Sequence, residues 1–307
     1  MKFAIRGAAI AILAPLALLS PPVSATTVFE EEFTCPIGGE KFKANVVGST
    51  STFGQRADGR PYGGVAIWPI PECPENGLPL FEDEFDPVEL AALEIAIATP
   101  DFRAMRENDT SRYRLFWLKR EIGRPFSEQV GALYQATWQT DDNWDRRNRY
   151  RSEFVNLAMR WDKPEGAEVR ERDNWFWIQM RAVNAMRELG YYEEGLSRLA
   201  VVMQLENLPA DEEAAENAKF YGEQIRRLLT EENPYPEPTN LTPARVAMFR
   251  CVAGSDLTTV ERERCDGTAI QDEIASFEFR PRGGGKLQGE DAIRAANIEW
   301  RTPSSNE

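Results

Sequence analysis

The chain has 307 residues, a formal net charge of −14 and no histidine. The missing histidine removes the usual general base near neutral pH, the Ser-His-Asp and Cys-His arrangements, and the commonest metal ligand. The acidic balance disfavours nucleic acid and anionic lipid surfaces as partners.

The first residues read as an export signal. Lys2 and Arg6 precede the apolar run GAAIAILAPLALL, and Val23 and Ala25 offer small residues before Thr26. A segment of this kind is removed on export, and Pro15 interrupts a run already shorter than the roughly 20 apolar residues that span a bilayer. The sequence thus predicts a signal peptide over 1–25 and a periplasmic or secreted chain, whose charge becomes −16 once Lys2 and Arg6 are gone. No later stretch is apolar enough to span a membrane.

Residues 26–85 are rich in Gly, Thr, Ser and Val up to about Ile70, and FKANVVGSTSTF has the β-branched content of short strands between turns. This predicts a small β-rich module. At Asp86-Pro87 the texture changes to helix, with Pro at the first helical position and Pro100 as the stop. Further helices are expected over Ser111–Ile122, from Ser127, over Trp144–Trp161 and up to Gly190. The last of these carries two apolar stripes, Trp175, Ile178, Ala182, Ala185 and Leu189 on one and Phe176, Met180 and Val183 on the other, so it should lie between neighbours. A very short turn at Gly190 predicts an antiparallel partner helix, and Asp211 is the expected N-cap of another, with Ala215, Ala218, Ile225, Leu228 and Leu229 facing inward. These helices define a domain over 86–232. NPYPEPTNLTP then reads as a Pro-rich linker over 233–242, followed by a C-terminal extension over 243–307 with its best helix at EDAIRAANIEW.

Two short stretches carry a resemblance. FTCPIGGEKF places Cys35-Pro36 before Gly39, Lys41 and Phe42, and ECPENGLPLF places Cys73-Pro74 before Gly77. Together with the helical pair around AVNAMRELGYYEEGLSRLA, they make the chain from about Glu31 to Pro209 resemble an uncharacterised bacterial family. That family joins a zinc-ribbon-like segment of Cys-Pro-x-Cys knuckles to helices of tetratricopeptide-repeat type. The resemblance implies a mainly α fold of repeat-like helical hairpins, a short α-solenoid or bundle, behind a degenerate zinc-ribbon-like module. Gly195 would be the small residue that lets paired helices approach, with Leu199 and Val202 at packing positions. Where the family pattern has its second cysteines this chain has Gly38 and Asn76, so zinc, which wants four N or S ligands in a structural site, is not carried over. No metal or cofactor is expected.

In a zinc ribbon the first cysteines of the two knuckles converge, so the resemblance also implies that Cys35 and Cys73 are neighbours. Export then favours a disulfide between them over a thiol-redox pair, which usually has the form Cys-x-x-Cys. Cys251 and Cys265 are left as the second pair, closing a loop of about 15 residues. Four cysteines allow three connectivities, and 35–73 with 251–265 is the expected one.

For a binding surface the sequence offers WDRRNRYRSEF, which gathers Arg146, Arg147, Arg149 and Arg151 beside Trp144 in an acidic chain. This group could hold an anionic ligand or a partner's acidic segment; alternatively it is a solvated helix face paired with Asp141, Asp142, Asp145 and Glu153. The many tryptophans of the helical region fall mostly on apolar stripes and read as packing rather than as a groove. No spacing singles out a catalytic carboxylate pair. The expectation is a non-catalytic binding or scaffold protein that engages an envelope protein or peptide through its helical domain. A carboxylate enzyme on a cell-envelope glycan and a thiol-redox protein are the rivals.

Overall fold

The computed structural model describes residues 26–65, 67–166 and 168–301; the expected signal peptide over 1–25 lies outside them. The chain is mainly helical, with a small N-terminal two-stranded antiparallel sheet. Strands β1 (Thr26–Thr34) and β2 (Lys41–Thr50) pair from Thr26↔Thr50 to Phe33↔Phe42 and Thr34↔Lys41, with a register shift between Thr27 and Val28. Because residues directly opposite share a face, Phe29, Phe33, Phe42 and Val46 line one side of this ribbon.

The two Cys-Pro stretches fold into matching turns. The Cys35 amide donates to the Glu40 carbonyl at 2.9 Å and the Cys73 amide to the Leu78 carbonyl at 2.9 Å; Gly39 and Gly77 return hydrogen bonds to the carbonyls of their respective cysteines. A disulfide joins Cys35 and Cys73, and a second joins Cys251 and Cys265. Asn76 donates from Nδ2 to the Ile37 carbonyl of the opposite turn at 2.9 Å and accepts from the Leu78 amide of its own turn. A side-chain amide thus ties the two turns together.

Helices α1 (Pro87–Ile97), α2 (Pro100–Asn108) and α3 (Ser111–Glu121) pack on this stapled pair, and Leu78, Leu93, Phe102 and Leu118 close a core around the two cysteines. Pro100 begins a helix instead of merely ending one. Thr99 caps it by accepting the Phe102 amide, and proline is favoured at a first helical position because its missing N–H would be unpaired there anyway.

Helices α4 (Phe126–Ala136), α5 (Trp144–Met159), α6 (Val169–Glu188), α7 (Tyr192–Val202) and α8 (Glu212–Thr230) follow as successive packed neighbours. Asn143 and Asp211 cap α5 and α8 by accepting the Arg146 and Ala214 amides. The largest core runs from Tyr113 and Phe116 through Tyr150, Phe154, Trp161, Trp175 and Phe176 to Ile225 and Leu229. At Gly195 a Cβ would lie 2.7 Å from Leu229 Cδ2, so the close approach of α7 to α8 leaves no room for a side chain unless Leu229 shifts.

The 233–242 segment, which reads as a linker, is packed: Asn233, Thr239, Asn240 and Thr242 are buried. It leads into α9 (Ala244–Ala253), α10 (Thr259–Cys265), α11 (Thr268–Ser276), the short pair β3 (Glu278–Phe279) and β4 (Leu287–Gln288), and α12 (Gly289–Arg301). A small core of Met248, Val252, Ile270, Ile274 and Ile293 holds this part together. Glu261 joins it to the segment before it, accepting from Arg250, from Asn233 and from the Thr239 amide. Burial alone would raise the Glu261 carboxyl, but the hydrogen bond and charge of Arg250 with the Thr258 and Thr239 amides together outweigh this and hold it below the ordinary range. Among the described residues no helix is long and apolar enough to cross a membrane.

Candidate functional site

Between β2 and the second cysteine turn the chain makes a narrow excursion. The Phe53 amide donates to the Tyr62 carbonyl, the Tyr62 amide to the Gly54 carbonyl and the Arg56 amide to the Arg60 carbonyl, so residues 53–62 form a hairpin-like loop with Arg56-Ala57-Asp58-Gly59 at its tip. That tip is driven into the helical domain. Ala57 is fully buried and Arg56 and Asp58 nearly so. Helix side chains donate to its backbone. Tyr134 Oη and Trp138 Nε1 reach the Asp58 carbonyl at 2.7 and 3.0 Å, while Arg181 and Tyr221 Oη reach the Ala57 carbonyl at 2.8 and 2.6 Å. Burial pushes the Tyr134 and Tyr221 hydroxyls above the usual tyrosine range, which keeps both as donors.

The side chains of the tip complete a closed ring of alternating charge. Arg56 grips Asp58 through Nε and Nη2 at 3.0 and 2.5 Å and reaches Asp141 at 2.7 Å. Asp141 also accepts Arg147 at 2.6 Å, Arg147 reaches Glu188 at 3.4 Å, Glu188 takes Arg151 at 2.6 Å, and Arg151 returns to Asp58 at 3.6 Å. The loop tip, the turn before α5, one face of α5 and the end of α6 are thereby bound through six side chains. Burial alone would raise the Asp58 carboxyl, but the Arg56 guanidinium beside it holds it down to about 2. Burial works against the charge of Arg151 and Arg187, and Glu188 opposes that in both.

Three further arginines join without bringing a carboxylate of their own. Arg181 lies on the Ala57 carbonyl, and Arg60 shares Asp141 with Arg56 and Arg147. The fully buried Arg187 donates to Asn184 Oδ1 and to the Asn233 and Tyr235 carbonyls, fixing the segment after α8. Arg147 Nε and Arg151 Nη2 meet no hydrogen-bond acceptor among the described residues. The cluster is therefore cationic at the centre of an acidic protein. It borders a cleft of about 630 Å³ lined by Arg56, Arg60, Gly63, Gly64, Asp141 and Glu237. Tyr62 Oη donates to Glu237 at 2.7 Å across this cleft, and burial together with that carboxylate raises its hydroxyl far above the ordinary range.

The WDRRNRYRSEF quartet is divided by the helical period. Arg147 and Arg151, four apart, point inward to the ring and are almost without solvent exposure. Arg149 lies on the outside, paired with Asp109 and stacked over Tyr113 and Tyr150. Arg146 is half-buried, and Trp144, 60% exposed, sits beside the Arg147 guanidinium. The four arginines do not share one surface. Arg56, Asp58, Arg60, Arg181, Arg187 and Glu188 are the members that sequence reading misses. Their signal is the polar set Arg181, Asn184 and Glu188 at helical spacing on the second half of α6, which is flanked by apolar stripes and buried from Trp175 to Arg187 save for the half-buried Trp177, so that its charges must find buried partners.

Elsewhere, Cys35, Glu40 and Cys73 bring potential metal-ligating atoms together. The disulfide uses both sulfurs, which leaves one carboxylate, too few for a structural zinc. The described cysteines contain no free thiol. Compared with known proteins, the chain matches no family model, no curated protein and no solved structure.

Two outcomes test this geometry. Gly59 has φ +77°, and a Cβ there would fall on the Tyr134 hydroxyl with the Arg181 guanidinium behind it; at Gly123, φ +73°, a Cβ meets nothing within 4 Å. Gly59→Ala should therefore lose about 2 kcal/mol or more in urea denaturation, and Gly123→Ala about 1 kcal/mol; equal losses would show that the tip is not confined. Because the folded Asp58 carboxyl titrates below its unfolded value, its stabilisation is complete above about pH 4 and lost as pH falls through about 2. Asp58→Asn should cost about 3 kcal/mol at neutral pH and flatten stability over that acid window, while an unchanged acid profile would contradict the assignment.

Proposed function

We propose that the protein is a non-catalytic binding module, exported to the periplasm or beyond, which takes an acidic segment of an envelope protein or peptide in the cleft over Arg56 and Arg60. The observation that carries this reading is the surplus of arginine over carboxylate behind that cleft. A guanidinium at a partly desolvated position is a strong, directional donor to carboxylate. Arg60 stands at the mouth with a quarter of its side chain exposed, while Arg56 behind it is fixed by Asp58 and Asp141. A site whose donors are already held in place loses little freedom when a ligand arrives.

The helical domain also handles a peptide in the same way internally, since Tyr134, Trp138, Arg181 and Tyr221 recognise the carbonyls of the inserted tip. Two disulfides suit an oxidising compartment. The arginine surplus behind the cleft, in a body of charge −14, would also help to direct an acidic partner there.

The test is affinity recovery of the tagged protein from its own envelope fraction after mild cross-linking, with Arg60→Gln and Arg146→Gln as variants. Arg60→Gln should reduce recovery of a partner about tenfold or more, with its melting temperature little changed, and Arg146→Gln should leave recovery intact. Equal recovery with Arg60→Gln, or no partner with any of the proteins, would contradict the proposal.

A further inference from the structure

A second surface has the opposite chemistry. The Phe29, Phe33, Phe42 and Val46 face of the β1–β2 ribbon looks onto the segment 80–85, and between them lies a groove of about 840 Å³. Phe33, Val46, Leu80, Phe81 and Phe85 give it an apolar floor, with Phe81 and Phe85 packed edge to face at a centroid distance of 5.0 Å. A two-stranded ribbon is marginal by itself in water, yet Phe29 on this face is half exposed and so is Val28 on the other.

The rim of the groove is uniformly acidic. Glu31, Glu32, Glu82, Asp83 and Glu84 line it, and no basic residue does. Glu32 is met by Lys41 at 3.6 Å and Glu82 by Arg124 at 3.3 Å. Glu31, Asp83 and Glu84 are exposed and make no ion pair among the described residues. From behind, Lys119 and Arg124 already lie over the Phe81 ring, at 5.3 and 5.9 Å from its centroid. Cationic side chains are thus the natural neighbours of these rings. Pro36 and Pro71, in the two walls, flank the Cys35–Cys73 bridge, and Leu80 donates to the Pro71 carbonyl at 2.8 Å, so the walls are held at a fixed spacing.

We propose that this groove docks a cationic amphipathic segment of a partner protein, its apolar side chains on the phenylalanines and its lysines or arginines against Glu31, Asp83 and Glu84. A neutral apolar segment would leave the rim carboxylates desolvated without a partner, and an acidic one would be repelled, so charge and apolar content are required together. The site is separate from the arginine cleft and selects partners of the opposite sign.

The probe is a short synthetic peptide of alternating lysine and leucine, compared with a lysine–serine peptide of equal charge, by calorimetry on the full chain at low salt. The groove variant is Glu31→Lys, Asp83→Lys, Glu84→Lys. A control with the same change in net charge is Glu165→Lys, Glu206→Lys, Glu216→Lys, at exposed positions elsewhere; circular dichroism melting establishes that both variants fold. The lysine–leucine peptide should bind the wild type and the control alike and the groove variant about tenfold or more weakly, and the lysine–serine peptide should not bind. Three results would overturn the proposal: no binding of the lysine–leucine peptide to the wild type, equal binding of the two peptides, or equal loss in the two triple variants.

Discussion

Charges withdrawn from water are tolerated only when each meets the opposite sign with good geometry, because the desolvation of an isolated ion costs several kcal/mol. The ring of Asp141, Arg56, Asp58, Arg151, Glu188 and Arg147 meets that condition, with every member between two of the other sign. An apolar plug of the same volume could be as stable, but it would fit in many registers. A ring of fixed donors and acceptors accepts one position of the 53–62 loop, and through it one position of the N-terminal module on the helices. The same polar stripe of α6 continues to Arg187, which seats the segment after α8. The three parts of the chain are therefore oriented from one helix.

Much of the helical architecture is legible in the sequence because its determinants are local. Asp86-Pro87, Asp211 and Gly190 mark helix ends by capping and turn chemistry, and the apolar stripes of α5 and α6 follow the helical period. Pro100 shows the limit of such signals, since proline after a capping threonine serves equally as the stop of one helix and the start of the next. The ring is not legible, because its bonds cross long separations: Arg56 and Asp141 lie 85 positions apart, and Arg147 and Glu188 lie 41 apart. What the sequence does contain is the four-residue spacing of Arg147 and Arg151, which places both on the inward face beside Tyr150 and Phe154. Which carboxylates wait there is a property of the tertiary fold. The disulfides are a middle case. The Cys35–Cys73 pairing is what the resemblance to a zinc ribbon implies and Cys251–Cys265 closes a short loop, whereas the role of Asn76 in tying the two turns together depends on a carbonyl 39 residues away.

The functional picture rests on charge placed against the average of the molecule. An acidic body discourages unselective association. Against it, the arginine surplus borders one cleft, and the carboxylate rim frames the aromatic groove on the ribbon. The described cysteines are committed to disulfides. These features support recognition as the work of the proposed sites, with rigidity supplied by the ring on one side and by the Cys35–Cys73 staple on the other.

The central claim is that the 56–59 tip is locked inside the helical domain. Native-state hydrogen exchange at the Arg56 and Gly59 amides, each donating within the loop at 2.8 Å, tests it most directly. The account predicts that these amides exchange only through global unfolding, at the rate of the core amides of α5 and α6. Exchange as fast as in the exposed 282–285 turn, with α5 and α6 still protected, would show that the loop opens independently and would contradict the account.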